Sequence, residues 1–195
     1  MINTLAISNY RSLLNLVIPL GSLNVITGSN ASGKSNLYRA LRLLAETAQG
    51  GVVTALAKEG GLNSTFWAGP EKISKGMRDG SVAIEGGLRK DVMRLRLGFA
   101  GDEFGYSISL GLPSPPVPRN AFITAFNLDP EIKRECIWAG NSYRPASALV
   151  DRDGRLIKVR SSRSWEVISQ HAPNFESIFS QVPDPAKTPE ILNLR

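Results

Sequence analysis

Gly28-Ser29-Asn30-Ala31-Ser32-Gly33-Lys34-Ser35 fits the phosphate-loop pattern G-x-x-x-x-G-K-[ST] at every position. This motif restricts the fold because it works only where a strand feeds a glycine-rich turn and a helix leaves it. Leu23–Thr27, a short β-rich run, ends where the first glycine arrives and predicts the strand. From Asn36 to Ala48, Leu37, Ala40, Leu41, Leu44 and Ala48 recur at three- and four-residue spacing, with Arg39, Arg42, Glu46 and Gln49 on the polar side. That period predicts the helix. Chance is the alternative in a chain with 18 glycines, and the agreement of strand, loop and helix argues against it.

The chemistry follows from the order of the elements. The first turn of a helix carries unpaired N–H groups and a positive dipole end, and both attract phosphate oxygens. Gly28 and Gly33 permit torsions and close approach that a side chain would block. Lys34 is expected to reach the β and γ phosphates as a point charge and is the candidate catalytic residue, while the Ser35 hydroxyl is a candidate magnesium ligand. No covalent intermediate is needed, so catalysis would come from positioning and charge stabilisation.

A chain of 195 residues, 42% apolar and 21% charged, has room for one generous domain or two small ones. No apolar stretch approaches the length that spans a bilayer and no basic leader opens the chain, which predicts a cytoplasmic protein without membrane contact. A single cysteine, Cys136, and a single histidine, His171, exclude a disulfide framework and a Cys/His zinc site. Cys136 reads as a buried residue of the Glu131–Trp138 run rather than a reactive thiol. The formal charge of +6 fits a phosphate-rich partner, with basic residues gathered at Arg89–Arg96 and Arg152–Arg163. A DNA-facing surface is one reading of these clusters; the solvated face of a strand, for alternating Arg94 and Arg96, is the other.

Thr4–Ser8 and Leu13–Pro19 predict an opening hairpin, so residues 1–50 hold hairpin, loop and first helix. Residues 51–80 are glycine-rich and predict a loop-dominated insertion with a helix at Val52–Lys58. Period-two alternation in Val92–Phe99 and Phe104–Leu112, around Gly101-Asp102-Glu103, predicts an antiparallel hairpin. Ser81–Leu88, Ile132–Trp138, Ala146–Val150 and Arg155–Val159 predict further strands, the last two joined by a turn at Asp151–Gly154. These make residues 81–162 an antiparallel β-subdomain. Pro113–Pro118 reads as a stiff connector, Ser164–His171 and Asn174–Gln181 as helices, and residues 163–195 as a helical segment with a polar tail.

Asn9-Tyr10-Arg11-Ser12-Leu13, Leu23–Gly28 and Asn30–Leu37 together resemble the start of SMC/RecF-type ABC-class ATPases, in which N-[FY]-R-S-[FL] precedes LNVITGxNGSGKSNLL. The likeness is specific over residues 1–48 and departs only at Ala31, where that family usually has glycine. Beyond, the likeness is one of pattern, to the first half of bacterial predicted ATPases of the "AAA family" in this group. The resemblance implies an α/β P-loop NTPase: the N-terminal lobe of an ABC/SMC-type head, with a mixed sheet and an antiparallel β-subdomain. It implies ATP and magnesium as cofactors, nucleotide contacts from Gly28 through Asn36, with Asn30 toward the γ-phosphate, and an approach of Arg11 to the nucleotide. As a bare residue, Arg11 reads equally as a guanidinium fork for phosphate or a surface turn residue. Gln181 is the candidate for the family's magnesium-sensing glutamine, ahead of Gln170 and Gln49; its alternative is a solvent-facing helix residue.

The family also uses a Ser-Gly-Gly signature followed by an apolar strand ending in Asp-Glu. That unit is not found here, and the nearest imitation, Ala148–Asp151, runs into Arg-Asp-Gly and reads as a hairpin tip. The expectation is therefore an incomplete head: a lobe that binds ATP, with hydrolysis and ATP-sandwiched homodimerisation depending on a C-terminal lobe in a longer chain or a second polypeptide. DNA is the further partner expected. A small-molecule P-loop kinase is a competing reading, disfavoured because strands and helices do not alternate. A nucleotide- or DNA-binding module without hydrolysis is another.

Overall fold

Alternating apolar residues build most of the molecule. In the structure, a computed structural model that describes residues 1–87, 89–114, 128–161 and 164–181, eight strands form a single sheet. They are β1 (Ile2–Tyr10), β2 (Leu13–Pro19), β3 (Leu95–Gly101), β4 (Phe104–Gly111), β5 (Glu131–Ala139), β6 (Ala148–Asp153), β7 (Leu156–Ser161) and β8 (Ser164–Ser169). Their order is β2-β1-β3-β4-β5-β6-β7-β8, so β1 takes β3 on its second edge after the hairpin with β2. Five helices accompany them: α1 (Lys34–Ala48), α2 (Val52–Lys58), α3 (Leu62–Thr65), α4 (Lys75–Asp79) and α5 (Ile178–Gln181).

One sheet face is apolar because the period of two sends Leu5, Ile7, Leu95, Leu97, Tyr106, Ile108, Ile137 and Val150 to the same side. The α1 residues Leu37, Ala40, Leu43 and Leu44 belong to the same buried cluster. The spacing predicts Leu37, Ala40 and Leu44 on this face correctly, but Leu43 and Thr47 are buried beside them and the expected Leu41 is 43% exposed. The opposite sheet face carries Gly98, Ser107 and Cys136 in register across β3, β4 and β5, flanked by Arg96 and Arg134. Cys136 is buried there, and loss of solvation raises its thiol pKa to about 12.

A buried ion pair crosses the core. Arg152 and Glu135 side chains are both fully buried, with Nη1 3.0 Å from Oε2. The Glu135 carboxylate also accepts from Tyr106 Oη at 2.6 Å, Ser177 Oγ at 2.6 Å and the Ile178 N–H at 3.0 Å. Arg152 donates to the carbonyls of Gly154 at 2.7 Å, Pro173 at 2.7 Å and Glu176. Burying two charges is tolerable only when their other hydrogen-bonding positions are filled as they are here, and the result fastens the segment before α5 to β4, β5 and β6.

Several expectations are corrected. The mixed α/β class stands, but every strand pair among the described residues is antiparallel, so the sheet is not a mixed one. Leu23–Thr27 is not a strand: β2 and β3 occupy both edges of β1, nothing described pairs with the run, and Leu23 and Val25 are 84% and 80% exposed. Ser81–Leu88 is irregular over its described residues and likewise finds no edge. Ser164–His171 forms β8 instead of a helix, because Trp165 and Val167 alternate with Glu166 and Ile168 against the open edge of β7. Only Ile178–Gln181 of the Asn174–Gln181 helix forms. The turn expected at Asp151–Gly154 shifts: Asp151–Asp153 stay in β6 and the chain reverses at Gly154-Arg155, with Gly154 at φ 56°. Of the proline-rich connector, residues 115–118 lie outside the described residues, as does the tail from Val182.

Candidate nucleotide-binding site

The phosphate loop is seated by the turn of the opening hairpin. Gly33, at φ 99°, caps the N-terminus of α1, and its carbonyl accepts from the N–H groups of Asn36 and Leu37, both at 3.0 Å. The torsion at φ 99° favours glycine, and the site of its absent Cβ lies 2.9 Å from Ser12 Oγ, so the turn of the hairpin packs directly on it. Asn36 reinforces the seat by donating from Nδ2 to Ser12 Oγ at 2.8 Å. The first-turn N–H groups of Lys34 and Ser35 have no intrahelical partners by helix geometry, and Ser35 is exposed.

Within the loop, Lys34 Nζ folds back onto the carbonyls of Gly28 and Ser29, each at 2.6 Å, and lies 3.4 Å from Ser32 Oγ. The ammonium is thus held over the loop by backbone acceptors in an exposed setting. Ser29, Asn30, Ala31 and Ser32 are all exposed. Ala31 adopts φ 65°, a left-handed torsion that glycine takes without the steric cost of a Cβ.

Arg11 joins this site from the hairpin turn. Its backbone is left-handed at φ 49° and its N–H donates to the Thr65 carbonyl at 2.7 Å. Its Nε and Nη2 donate to Glu59 Oε2 at 3.1 and 2.8 Å, and Tyr10 Oη donates to the same oxygen at 2.7 Å. Burial, with the Glu59 carboxylate next, raises the Tyr10 pKa to about 12, so the phenol is a neutral donor. Burial works against the Arg11 charge, but the bonds to Glu59 and Tyr10 outweigh it and raise the guanidinium pKa. Arg11, Lys34 and Ser35 line one cleft of about 780 Å³, with Tyr38, Arg39 and Arg42 of α1 and Lys58 and Glu59 at the end of α2. Its lining holds five cations, Arg11, Lys34, Arg39, Arg42 and Lys58, against Glu46 and Glu59. Glycines at the required torsions, a free helix start and an excess of cations fit a polyphosphate; the Ser35 hydroxyl fits one position of a magnesium shell.

Gln181 is not brought to Ser35. It ends α5, whose Ser180 Cβ lies 3.4 Å from the Cβ position of Gly50, just past the C-terminal end of α1. Ser35 is in the first turn of that 15-residue helix, about 20 Å away along its axis at 1.5 Å per residue. Asp151 also stays away from the loop, on the sheet surface 3.3 Å from Arg134 Nη2. Asp102-Glu103, an Asp-Glu pair after the apolar run of β3, is an equally poor source of a metal ligand. It forms the β3–β4 tip, where Asp102 bonds the Met1 amino group at 2.9 Å, a contact that lowers its carboxyl pKa. Met1 and the Ser12 seat lie beyond opposite ends of the nine-residue β1, a separation of roughly 30 Å at 3.3 Å per residue. Glu59 is the site residue that sequence reasoning missed. It directly follows the predicted Val52–Lys58 helix, and no motif or spacing marked it.

With this geometry in place, the comparison with known families bears on the hairpin and the loop together. Residues 1–85 match the family model of an AAA ATPase domain. The AAA ATPase domain match takes in β1, β2, the phosphate loop and α1 through α4, and stops before β3. It therefore contains every residue of the cleft, Arg11 and Glu59 included. It agrees with the SMC/RecF resemblance of the opening segment and supports a nucleotide-binding ATPase function with ATP as ligand. No curated protein matches the chain. Among the described residues, no helix is long and apolar enough to cross a membrane, and no cluster of His, Cys, Asp and Glu could hold a metal ion by itself.

Proposed function

We propose that this chain binds magnesium ATP at Gly28–Ser35, as the nucleotide-binding lobe of an SMC/RecF-like, ABC-class ATPase. The observation that carries the reading is the seating of Gly33 on Ser12, which presents the start of α1 to a cleft shared by Lys34, Ser35 and Arg11. The α1 N–H groups and Lys34 would take phosphate oxygens, Ser35 would enter the magnesium shell, and Arg11 would add a guanidinium from the side. Magnesium supplies charge neutralisation between the β and γ phosphates. None of Gln181, Asp102 and Asp151 stands by the loop, which supports binding without efficient turnover by these residues alone. Hydrolysis and ATP-sandwiched head dimerisation would then depend on a further lobe, in service of DNA maintenance or phage defence.

Titration of the purified chain with a fluorescent ATP analogue and magnesium tests the reading. Saturable binding that Lys34→Ala abolishes is expected. Absent binding, or binding indifferent to Lys34→Ala, would sink it.

A second reading, a nucleic-acid-binding module, draws on one observation. Arg96 and Arg134 stand on the outer sheet face, and Arg94 and Tyr143 line the same shallow depression beside Ser107. DNA affinity measured over a salt series checks it: a steep decline with salt supports phosphate contacts, and a flat response argues against them.

A further inference from the structure

Glu59 lies outside the phosphate-loop motif, yet it organises the one cation that reaches the cleft from the hairpin. Its Oε2 receives three donors: Tyr10 Oη at 2.7 Å, Arg11 Nη2 at 2.8 Å and Arg11 Nε at 3.1 Å. Both Arg11 bonds to Glu59 use the Nε/Nη2 edge of the guanidinium, and Arg11 also lines the cleft. The backbone segment that follows Glu59 is itself anchored. Gly61 N donates to the Leu56 carbonyl at 2.9 Å at the end of α2, Arg11 N to Thr65 at 2.7 Å, and Trp67 N to Asn9 at 3.1 Å. The Tyr10–Phe66 bridge completes this stitching of residues 59–67 to the hairpin turn.

We infer that Glu59 is a positioning residue, which grips the Nε/Nη2 edge of Arg11 so that Nη1 is left facing the cleft for a nucleotide phosphate. A guanidinium has five N–H donors in a rigid plane, so fixing one edge fixes the direction of the other. An unclamped arginine would have to lose its rotamer freedom on binding; here the loss has been met by folding. Tyr10, a neutral donor, shares Oε2 and gives the carboxylate a second, independent hold. This inference rests on the nucleotide-binding reading and deepens it.

The test is the affinity of the 195-residue chain for the fluorescent ATP analogue with magnesium, in Arg11→Ala, Glu59→Ala, Glu59→Asp, Glu59→Gln and the double variant Arg11→Ala/Glu59→Ala. Loss of one charge-assisted phosphate bond predicts about tenfold weaker binding for Arg11→Ala. Glu59→Ala should approach that loss, and the double variant should be no weaker than Arg11→Ala alone, since Glu59 acts only through Arg11. Glu59→Gln keeps the accepting oxygen at the same reach and should restore most of the affinity. Glu59→Asp keeps the charge but withdraws it by one methylene and should bind several-fold more weakly than wild type. Should Glu59→Ala fail to fold, the Asp and Gln pair still decides the matter: Asp equal to wild type, or Gln as weak as Asp, overturns the inference. Tighter binding in Glu59→Ala, or additive losses in the double variant, overturns it as well. Lys34→Ala separates the two levels. If it abolishes binding while the Glu59 variants match wild type, only the positioning role fails; if it changes nothing, the nucleotide site itself fails.

Discussion

At Glu135 and Arg152, charges sealed from solvent each find several protein partners; at Lys34, an exposed ammonium leans on two loop carbonyls. The first arrangement cannot change without leaving a buried charge unpaired, which makes β4, β5 and β6 the rigid part of the fold. The second can be exchanged for a ligand, because a phosphate oxygen can replace the carbonyls of Gly28 and Ser29 as acceptor for Lys34. Leu23 and Val25, exposed beside the loop, and Ala31 in a left-handed torsion add to the contrast. Stability is concentrated in the sheet, and the proposed nucleotide site sits on a segment fastened mainly at Ser12.

The largest expected effect breaks the rigid side. Arg152→Ala leaves Glu135 buried without its cation and should cost about 3–5 kcal/mol in denaturant-unfolding free energy. A loss below about 1 kcal/mol would mean that the pair is not sealed as described.

A smaller effect comes from pH. The Cys136 thiol has a pKa of about 12 in the folded chain against 9.0 when unperturbed, chiefly from burial. A raised folded value means that its contribution to stability is complete below about pH 9 and is lost as the pH climbs toward 12. Thermal unfolding midpoints of the wild type should therefore fall more steeply between pH 9 and 12 than those of Cys136→Ala. The native thiol should also resist alkylation at pH 8 until the chain is unfolded.

The smallest effect is on the loop. Ala31→Gly relieves a torsion at φ 65° but increases the entropy of the unfolded chain, so global stability should change by less than about 1 kcal/mol. Its signature would be tighter nucleotide binding with an unchanged unfolding midpoint. A midpoint shift as large as that of Arg152→Ala would erase the distinction between sheet and loop.

The glycine turn before α1, α1 itself and the β1–β2 and β3–β4 hairpins were legible in the sequence because each carries a local signal: a spaced motif, a 3.6-residue period or a two-residue period with its turn. Helix α2 was legible over the same residues, Val52–Lys58. Leu23–Thr27 misled because β propensity says nothing about whether an edge is available to pair with. Ser164–His171 misled for the reverse reason: the open edge of β7 decided its structure, and that edge is set by residues outside the segment. The Glu135–Arg152 pair joins residues 17 apart across β5 and β6 and meets Ser177 from a third segment, so no spacing rule marks it. The Arg11–Glu59 contact, 48 residues apart, was hidden in the same way.

Backbone hydrogen exchange with and without magnesium ATP tests the central claim most directly. Protection should rise across residues 23–37 and at the Arg11 turn, leave β4 through β7 unchanged, and vanish in Lys34→Ala. Protection that appears in the sheet and spares the loop, or that survives Lys34→Ala, would contradict nucleotide binding at Gly28–Ser35.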